Sequence, residues 1–278
     1  MPDLETIASA PTDGAAHLRR HAVRDLGGDR QPMLMVHGYG CNQAMWHLML
    51  PYFRDDYRVV LMDHVGTGNA GMEDWSPEAY RSLHRYAADV IGVVEALDLR
   101  EVILVGHSVS AIICGLVAAA IPKRVARLVM IGPSPYYLNE GDYRGGFEAS
   151  DIRELIAAVE SNYIGWSKAM APAIMGRPDA PDTGEYLTAR FCEQDPEVAL
   201  AFARATFESD HRPDLPKVPV PTLVLQCSQD IIAGEQVGRF VAEAIPEASY
   251  RKLAARGHCP NYSAPEETSA AIAAWLAE

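Results

Sequence analysis

Short aliphatic runs that alternate with helix-like segments constrain this chain more than any other feature of its sequence. Four of these runs are the clearest: MLMV (33–36), YRVVLM (57–62), EVILV (101–105) and ARLVMIG (126–132). Apolar runs without polar alternation are typical of strands that are buried on both faces, as in parallel sheets. Strands that alternate with helices build α/β folds. We therefore predict a mostly parallel sheet flanked by helices.

A long segment after the fourth run lacks strand-like sequence. From residue 141 to about residue 217, helical spacing takes over, for example in PEVALAFARATF (196–207). Strand-like runs then resume in PTLVLQC (221–227) and, less clearly, in ASYRKL (248–253). We predict three parts, which are a polar, flexible leader (1–16), an α/β core (17–134 and 218–278) and a helical insertion (135–217).

Composition argues against several classes of function. The 278 residues include 24 basic and 37 acidic ones, so the formal net charge is −13 and we expect no binding of nucleic acid or anionic membranes. The longest apolar stretch, residues 111–121, is far shorter than the roughly 20 residues that span a bilayer. The five scattered cysteines form no C-x-x-C pair. They favour a cytoplasmic protein without a disulfide framework, metal or other cofactor.

The turn after the third run is a candidate site for a nucleophile. GHSVS (106–110) nearly matches G-x-S-x-G, in which a serine lies on a sharp turn between a strand and a helix. The flanking runs EVILV and AIICGLVAAA supply that strand and helix. Ser110 replaces the last glycine, but it adds only a hydroxymethyl group. We predict Ser108 as the nucleophile, with a purely structural turn as the alternative.

A serine nucleophile needs a base, and the base needs an acid that orients it. In the chain order serine, acid, histidine, Asp230 follows the run PTLVLQC and His258 lies in a glycine-flanked loop after ASYRKL. Both positions are loops after strands, where the predicted fold would bring them to the serine. We therefore predict that Ser108, Asp230 and His258 form a catalytic triad.

Other histidines compete for the role of the base. His211, with Asp210 beside it, is the most serious alternative, but it lies in the helical insertion and adjacent residues cannot easily form an Asp–His hydrogen bond. His37 and His64 follow strands and are interpreted as groups that pack the loops near the site. His107 adjoins Ser108, so its side chain is expected to point away from it.

The tetrahedral intermediate of acyl transfer needs backbone donors for its oxyanion. HGYG (37–40) follows the run MLMV, where such a loop is expected, and the predicted donors are the amides of Tyr39 and Val109. In isolation, HGYG could equally be a glycine-rich turn. Aromatic residues of the insertion could line a substrate pocket or form the insertion's own core, and they are Tyr136, Tyr137, Phe147, Tyr163, Trp166, Phe191 and Phe207.

From about Arg20 onward, the sequence resembles a known group of proteins. It is similar to the α/β-hydrolase subfamily that contains the bacterial stress-response regulator RsbQ and the plant strigolactone and karrikin receptors. The segments that carry the resemblance are HGYGCNQAMW (37–46), DHVGTGNA (63–70), GHSVSA (106–111), GPSPYYLN (132–139), GGFE (145–148), NYIGW (162–166), RFCEQDP (190–196), FESDHRPDL (207–215), LQCSQDIIA (225–233) and ARGHCP (255–260).

The resemblance implies an α/β-hydrolase fold in which the insertion is a four-helix lid over an apolar pocket. It matches the same triad and the same two oxyanion donors. It also implies that Phe147, Trp166 and Phe207 lie in segments that contribute to the pocket or its surroundings. The subfamily contains both hydrolases and hydrolase-like receptors, and the RsbQ type acts with a phosphatase that carries a PAS sensory domain.

Two functions follow as hypotheses. The first is a serine hydrolase that cleaves a small apolar ester or lactone through an acyl-enzyme. The second is a small-molecule sensor that uses the same triad, hydrolyses its ligand slowly or once, and signals to a partner such as a PAS-domain protein. A third, weaker option is a different reaction on the same scaffold, such as carbon–carbon bond hydrolysis.

Overall fold

A computed structural model describes residues 13–278. The described strands are β1 (Arg24–Asp25), β2 (Pro32–Val36), β3 (Arg58–Met62), β4 (Val102–His107), β5 (Val125–Ile131), β6 (Asn139–Glu140), β7 (Tyr143–Arg144), β8 (Thr222–Gln226) and β9 (Ala248–Lys252). Seven of them form one sheet in the order β1-β3-β2-β4-β5-β8-β9. β1 is antiparallel to β3, and all other neighbours are parallel. The predicted mostly parallel sheet is therefore confirmed.

Helices cover both faces of this sheet. The described α-helices are α1 (Gly14–Arg20), α2 (Leu50–Phe53), α3 (Leu83–Ala96), α4 (Val109–Ala120), α5 (Ala149–Met175), α6 (Pro181–Cys192), α7 (Pro196–Phe207), α8 (Glu235–Ala244), α9 (Pro260–Ser263) and α10 (Pro265–Leu276). Short 3-10 turns occur at Gln43–Trp46 and Arg212–Lys217.

The continuous apolar runs of the sequence are explained by two hydrophobic cores, one on each face of the sheet. In β2, Leu34 and Val36 belong to the core that includes residues of α3 and α4. Met33 and Met35 belong to the other core, which includes residues of α2 and α10. Because successive residues of a strand point to opposite faces, a strand between two cores needs an apolar residue at every position.

The helical insertion lies between β5 and β8. Its longest element, α5, is interrupted at Asn162, where the backbone angles (φ −158°, ψ 75°) are not helical. The side chain of Asn162 accepts a hydrogen bond from the amide of Gly165 at 2.9 Å, which caps the second half of the helix. α5 packs against both α6 and α7. With α5 divided in two, the insertion has four α-helical segments, the 3-10 turn Arg212–Lys217 and a small hairpin, β6–β7.

The first predicted segment, the leader of residues 1–16, lies mostly outside the described residues. Its last residues are helical, because α1 begins at Gly14 and packs against α3. No helix within residues 13–278 combines the length and the apolar character needed to cross a bilayer. All five cysteines are free, and four of them are buried.

Candidate active site

Ser108 lies on the turn between β4 and α4, at the centre of the sheet. Its φ of 58° and ψ of −127° are unusual for a residue with a side chain, and such a conformation costs on the order of 1–3 kcal/mol. The turn is tight enough that a Cβ atom on Gly106 would lie 2.2 Å from the carbonyl oxygen of Ser110. The first glycine of GHSVS is therefore required by close backbone packing.

The three residues of the predicted triad meet at the carboxyl ends of the strands. His258 Nε2 lies 2.7 Å from Ser108 Oγ, and His258 Nδ1 lies 2.7 Å from Asp230 Oδ2. The neutral tautomer with a proton on Nδ1 donates to the carboxylate and accepts the hydroxyl proton of Ser108 at Nε2. Ser108, His258 and Asp230 therefore form one continuous chain of hydrogen bonds.

The loops that carry Asp230 and His258 are fixed to each other. Asp230 Oδ1 accepts hydrogen bonds from the amides of Ile232 (2.8 Å) and Ala233 (3.1 Å). Burial favours a higher pKa for Asp230, but its electrostatic interaction and hydrogen bond with His258, together with these two amide hydrogen bonds, outweigh burial and hold that pKa below its ordinary value. The amide of Gly257 donates to the carbonyl of Gln229 at 2.7 Å, which ties the two loops together.

The helical insertion also holds the base in place. The amide of His258 donates to the carbonyl of Ile174, near the end of α5, at 2.8 Å. The neighbouring Gly257 has a φ of +83°, and a Cβ atom there would lie 1.8 Å from the carbonyl oxygen of Met175. Only glycine allows the loop to approach α5 so closely.

The two predicted oxyanion donors, Tyr39 and Val109, belong to the two segments next to Ser108. The residues after β2 approach Ser108 so closely that a Cβ atom on Gly38 would lie 3.1 Å from the Cβ atom of Ser108. Within residues 13–278, the amide of Tyr39 donates to no backbone or side-chain acceptor. Val109 is the first residue of α4, where amides point out of the helix end.

A small, mostly apolar cavity lies beside Ser108. It has about 30 Å³ of free volume, more than the roughly 10–15 Å³ that a cavity needs to hold a water molecule. The side chains that line it, besides Ser108, His107 and His258, are Tyr39, Cys41, Ile174, Leu187, Phe191, Ile232 and Cys259. The cavity is therefore enclosed partly by the core and partly by α5 and α6 of the insertion.

Phe191 restricts this cavity most directly. Its ring packs on the backbone at Gly40, where a Cβ atom would lie 2.5 Å from the ring. It also stacks on Trp166, with ring centroids 5.9 Å apart and planes 12° from parallel. The aromatic side chain thus occupies space beside the nucleophile that a smaller residue would leave open.

The structure places the three predicted pocket aromatics one layer further from Ser108. Trp166 and Phe207 contact the ring of Tyr39, with centroids 6.2 Å and 6.1 Å away. Phe147 contacts Tyr137, with centroids 6.2 Å apart. None of the three lines the cavity at Ser108. Tyr39, Phe191 and neighbouring side chains separate them from it.

A sequence profile of the alpha/beta hydrolase family matches residues 33–271, which span the sheet and the insertion. The chain belongs to the α/β-hydrolase family.

Similar proteins narrow the relationship within this family. A karrikin insensitive 2 receptor of Petunia hybrida is 35% identical over 248 residues, covering 88% of this chain and 92% of the receptor. A strigolactone esterase of Arabidopsis thaliana is 34% identical over 246 residues, covering 88% and 92%. A hydrolase structure from Oleispira antarctica has 36% identity and a TM-score of 0.93, covering 97% of this chain and 100% of that one. The predicted fold and the resemblance to the plant proteins are confirmed.

His107 has a structural part in this α/β-hydrolase that the sequence did not indicate. Its side chain lines the same cavity as Ser108, and its Nε2 donates a hydrogen bond to the carbonyl of His258 at 2.7 Å. Burial and the nearby His258 lower the pKa of His107 to about 3. A neutral His107 therefore supports the loop of the base.

Tyr137 is buried, and the sequence did not distinguish it from the other aromatic residues considered for the pocket. Burial raises its pKa. The sequence contained no signal that would distinguish Tyr137 from its neighbour Tyr136. Only the path of the chain after β5 separates the buried ring from the half-exposed one.

His211, the main alternative to His258 in the sequence, is paired with a carboxylate of the insertion. His211 Nδ1 lies 2.9 Å from Asp214 Oδ2, while the adjacent Asp210 pairs with Arg212 at 2.6 Å. The His–Asp pair thus forms across three residues and stabilises the end of the insertion. Nothing brings a serine hydroxyl to this histidine among the described hydrogen bonds.

One further polar cluster lies away from the triad. The ligand atoms of His17, His21 and Asp89 lie within 4.8 Å of one another. Arg85 is 3.2 Å from Asp89 Oδ1, and the hydroxyl of Tyr80 donates to Oδ2 at 2.7 Å. A guanidinium so close to the carboxylate favours an ion-pair network over a cation site.

The pKa of His107 predicts a pH dependence of stability. Below pH 6.5 the unfolded chain takes up a proton at His107, whereas the folded chain does so only near pH 3. Stability therefore decreases as the pH falls from about 6.5 towards 3, because the unfolded state binds more protons. His107→Gln should reduce this slope by at most about 1.4 kcal/mol per pH unit.

Chemical denaturation between pH 3 and pH 8 measures this slope. His47→Gln, at an exposed histidine, is the matched control and should leave the slope unchanged. An unchanged slope in His107→Gln would show that His107 is not buried in its neutral form.

Proposed function

We propose that this protein is a serine hydrolase that cleaves a small apolar ester or lactone through an acyl-enzyme. The observation that carries the proposal is the hydrogen-bonded chain from Ser108 through His258 to Asp230, with both contacts at 2.7 Å. The strained turn at Ser108 and the cavity beside its hydroxyl support it. Membership of the α/β-hydrolase family agrees with this proposed activity.

The proposed reaction uses each of these groups in turn. Ser108 Oγ attacks the carbonyl carbon while its proton moves to His258 Nε2, and Asp230 stabilises the imidazolium that forms. The amides of Tyr39 and Val109 donate to the oxyanion. The intermediate collapses, the bond to the leaving oxygen breaks, and His258 gives its proton to that oxygen. Water then attacks the acyl-enzyme by the same route and releases the acid and free Ser108.

The cavity supports a compact acyl group as the substrate part nearest Ser108. Its lining is mostly apolar, and its free volume is small, at about 30 Å³, so a long acyl chain would require the lining side chains to move. The net charge of −13 disfavours anionic substrates at long range. A small, uncharged ester or lactone fits both properties.

A second function is favoured by a specific observation. Of the two similar plant proteins, one is a receptor and the other an esterase, and their identities to this chain are nearly equal, at 35% and 34%. The chain is thus similar to a receptor and to an esterase, and hydrolysis of a ligand would then be part of signalling. In this second proposal, the insertion responds to a small ligand, and the protein signals to a partner such as a PAS-domain protein.

Labelling with a fluorophosphonate tests the first proposal. We expect covalent modification of Ser108, found by peptide mass mapping, and hydrolysis of p-nitrophenyl acetate. Ser108→Ala should lose both, with a fall in rate on the order of 10⁶-fold as seen when a triad nucleophile is removed. Ser269→Ala, at another buried serine, should keep both. Modification of a different serine in folded protein would refute the assignment.

The cavity predicts a preference for short acyl chains. The wild-type protein should hydrolyse acetyl esters at least about tenfold faster than hexanoyl esters, since one unaccommodated methylene is worth about 1–3 kcal/mol. Phe191→Ala should reduce or reverse this ratio because it removes the ring that restricts the cavity. Leu187→Ala, at a second lining residue, is the independent variant. Equal chain-length profiles in all three proteins would contradict the proposed role of the cavity.

Counting turnovers distinguishes an enzyme from a sensor. A metabolic hydrolase should complete hundreds of cycles on a simple ester. A sensor should show a burst of about one product per protein, followed by slow release and a ligand-dependent change in melting temperature. Capture of a purified PAS-domain protein only when ligand is present would support the second proposal, and sustained turnover without any such change would exclude it.

A further inference from the structure

Ser110 is the residue at which GHSVS departs from the usual glycine. It is completely buried, and its hydroxyl makes two hydrogen bonds to segments that are distant in the chain. The hydroxyl lies 2.5 Å from the carbonyl oxygen of His37 and 2.8 Å from His64 Nε2. A glycine at this position could make neither contact.

The protons of this network follow from its chemistry. The carbonyl of His37 can only accept, so the single proton of Ser110 points to it. The hydroxyl must then accept from His64, which places a proton on His64 Nε2. Burial lowers the pKa of His64 well below its usual range, so the ring is neutral and carries that one proton.

His37 continues the network to the oxyanion loop. Its Nε2 accepts from the amide of His64 at 3.1 Å, so its proton lies on Nδ1. From there it donates to the carbonyl of Gly38 at 2.9 Å. That carbonyl belongs to the same planar peptide unit as the amide of Tyr39. The direction of the Tyr39 N–H is therefore set by the hydrogen bond of its own peptide unit to His37.

Two consecutive peptide units are thus held by buried side chains. Ser110 holds the unit between His37 and Gly38, and His37 holds the unit between Gly38 and Tyr39. Ser110 also follows Val109 directly, on the helix that supplies the other predicted donor. A single hydroxyl therefore links the two segments that carry the oxyanion donors.

We propose that Ser110 is a positioning residue that fixes the amide of Tyr39 relative to the amide of Val109. The proposal rests on the proposed hydrolase function. In this proposal, Ser110 does not contact the substrate. The hydroxyl acts through the His37 carbonyl and through His64.

Two variants separate this role from ordinary helix stability. Ser110→Ala removes the hydroxyl and leaves a methyl group that keeps water out, whereas Ser110→Gly leaves space in which a water molecule can bridge the same groups. Helix propensity favours alanine over glycine. The proposed role favours glycine for activity. We therefore expect Ser110→Gly to be the more active variant even if it is the less stable one.

Kinetics on p-nitrophenyl acetate provide the main measurement. Ser110→Ala should lower kcat by about 10- to 100-fold, since a displaced oxyanion donor loses part of its effect on the transition state. KM should stay within about twofold, and the affinity for a trifluoromethyl ketone, which forms a tetrahedral adduct, should fall with kcat. Ser110→Gly should lie within about tenfold of the wild type. Ser269→Ala, a buried serine on α10, should behave as the wild type.

The outcomes are separable. Unchanged kcat and inhibitor affinity in Ser110→Ala, or a greater loss in Ser110→Gly than in Ser110→Ala, would overturn the role of Ser110. If wild-type protein neither cleaves esters nor reacts with a fluorophosphonate, the hydrolase proposal fails. The effect of Ser110 on the Tyr39 amide is then tested separately by NMR. Ser110→Ala should then shift the Tyr39 amide resonance while Ser269→Ala does not, and an unmoved resonance would refute the positioning.

Discussion

The sharp turn at Ser108 is the constraint on which the rest of the site depends. A positive φ at a serine is unfavourable by itself, so the conformation persists only where its surroundings hold it. β4, which precedes it, is paired on both sides by β2 and β5. The amide of Ser108 donates to the carbonyl of Ile131 at 2.8 Å. The turn is therefore fixed by the hydrogen bonds of the central strands of the sheet.

Buried histidines complete the site in two different ways. Burial lowers the pKa of His37, His64 and His107, so these three rings are neutral groups with fixed donors and acceptors. Among them and His258, only His258 is hydrogen-bonded to a carboxylate. These histidines therefore have different roles. His37 and His107 donate to backbone carbonyls, His64 donates to the hydroxyl of Ser110, and His258, which is bound to a carboxylate, faces Ser108.

The sequence predicted the fold and the meeting of the triad residues because both follow from local patterns. Apolar runs identify strands between two cores, and residues just after parallel strands meet at one edge of the sheet. His107 and Ser110 were not predictable in this way. Their partners, the carbonyls of His258 and His37, lie 151 and 73 residues away. The kink at Asn162 and the screening of Trp166 from the cavity likewise depend on how the insertion packs.

The contact between α5 and the loop of the base has a mechanical consequence. The same helix lines the cavity through Ile174 and, through the carbonyl of that residue, holds the amide of His258. A ligand that displaces this end of α5 must lengthen that hydrogen bond or carry the imidazole with it. Where a ligand displaces this part of α5, the position of the His258 imidazole therefore depends on what occupies the cavity, because one residue of the helix contacts both.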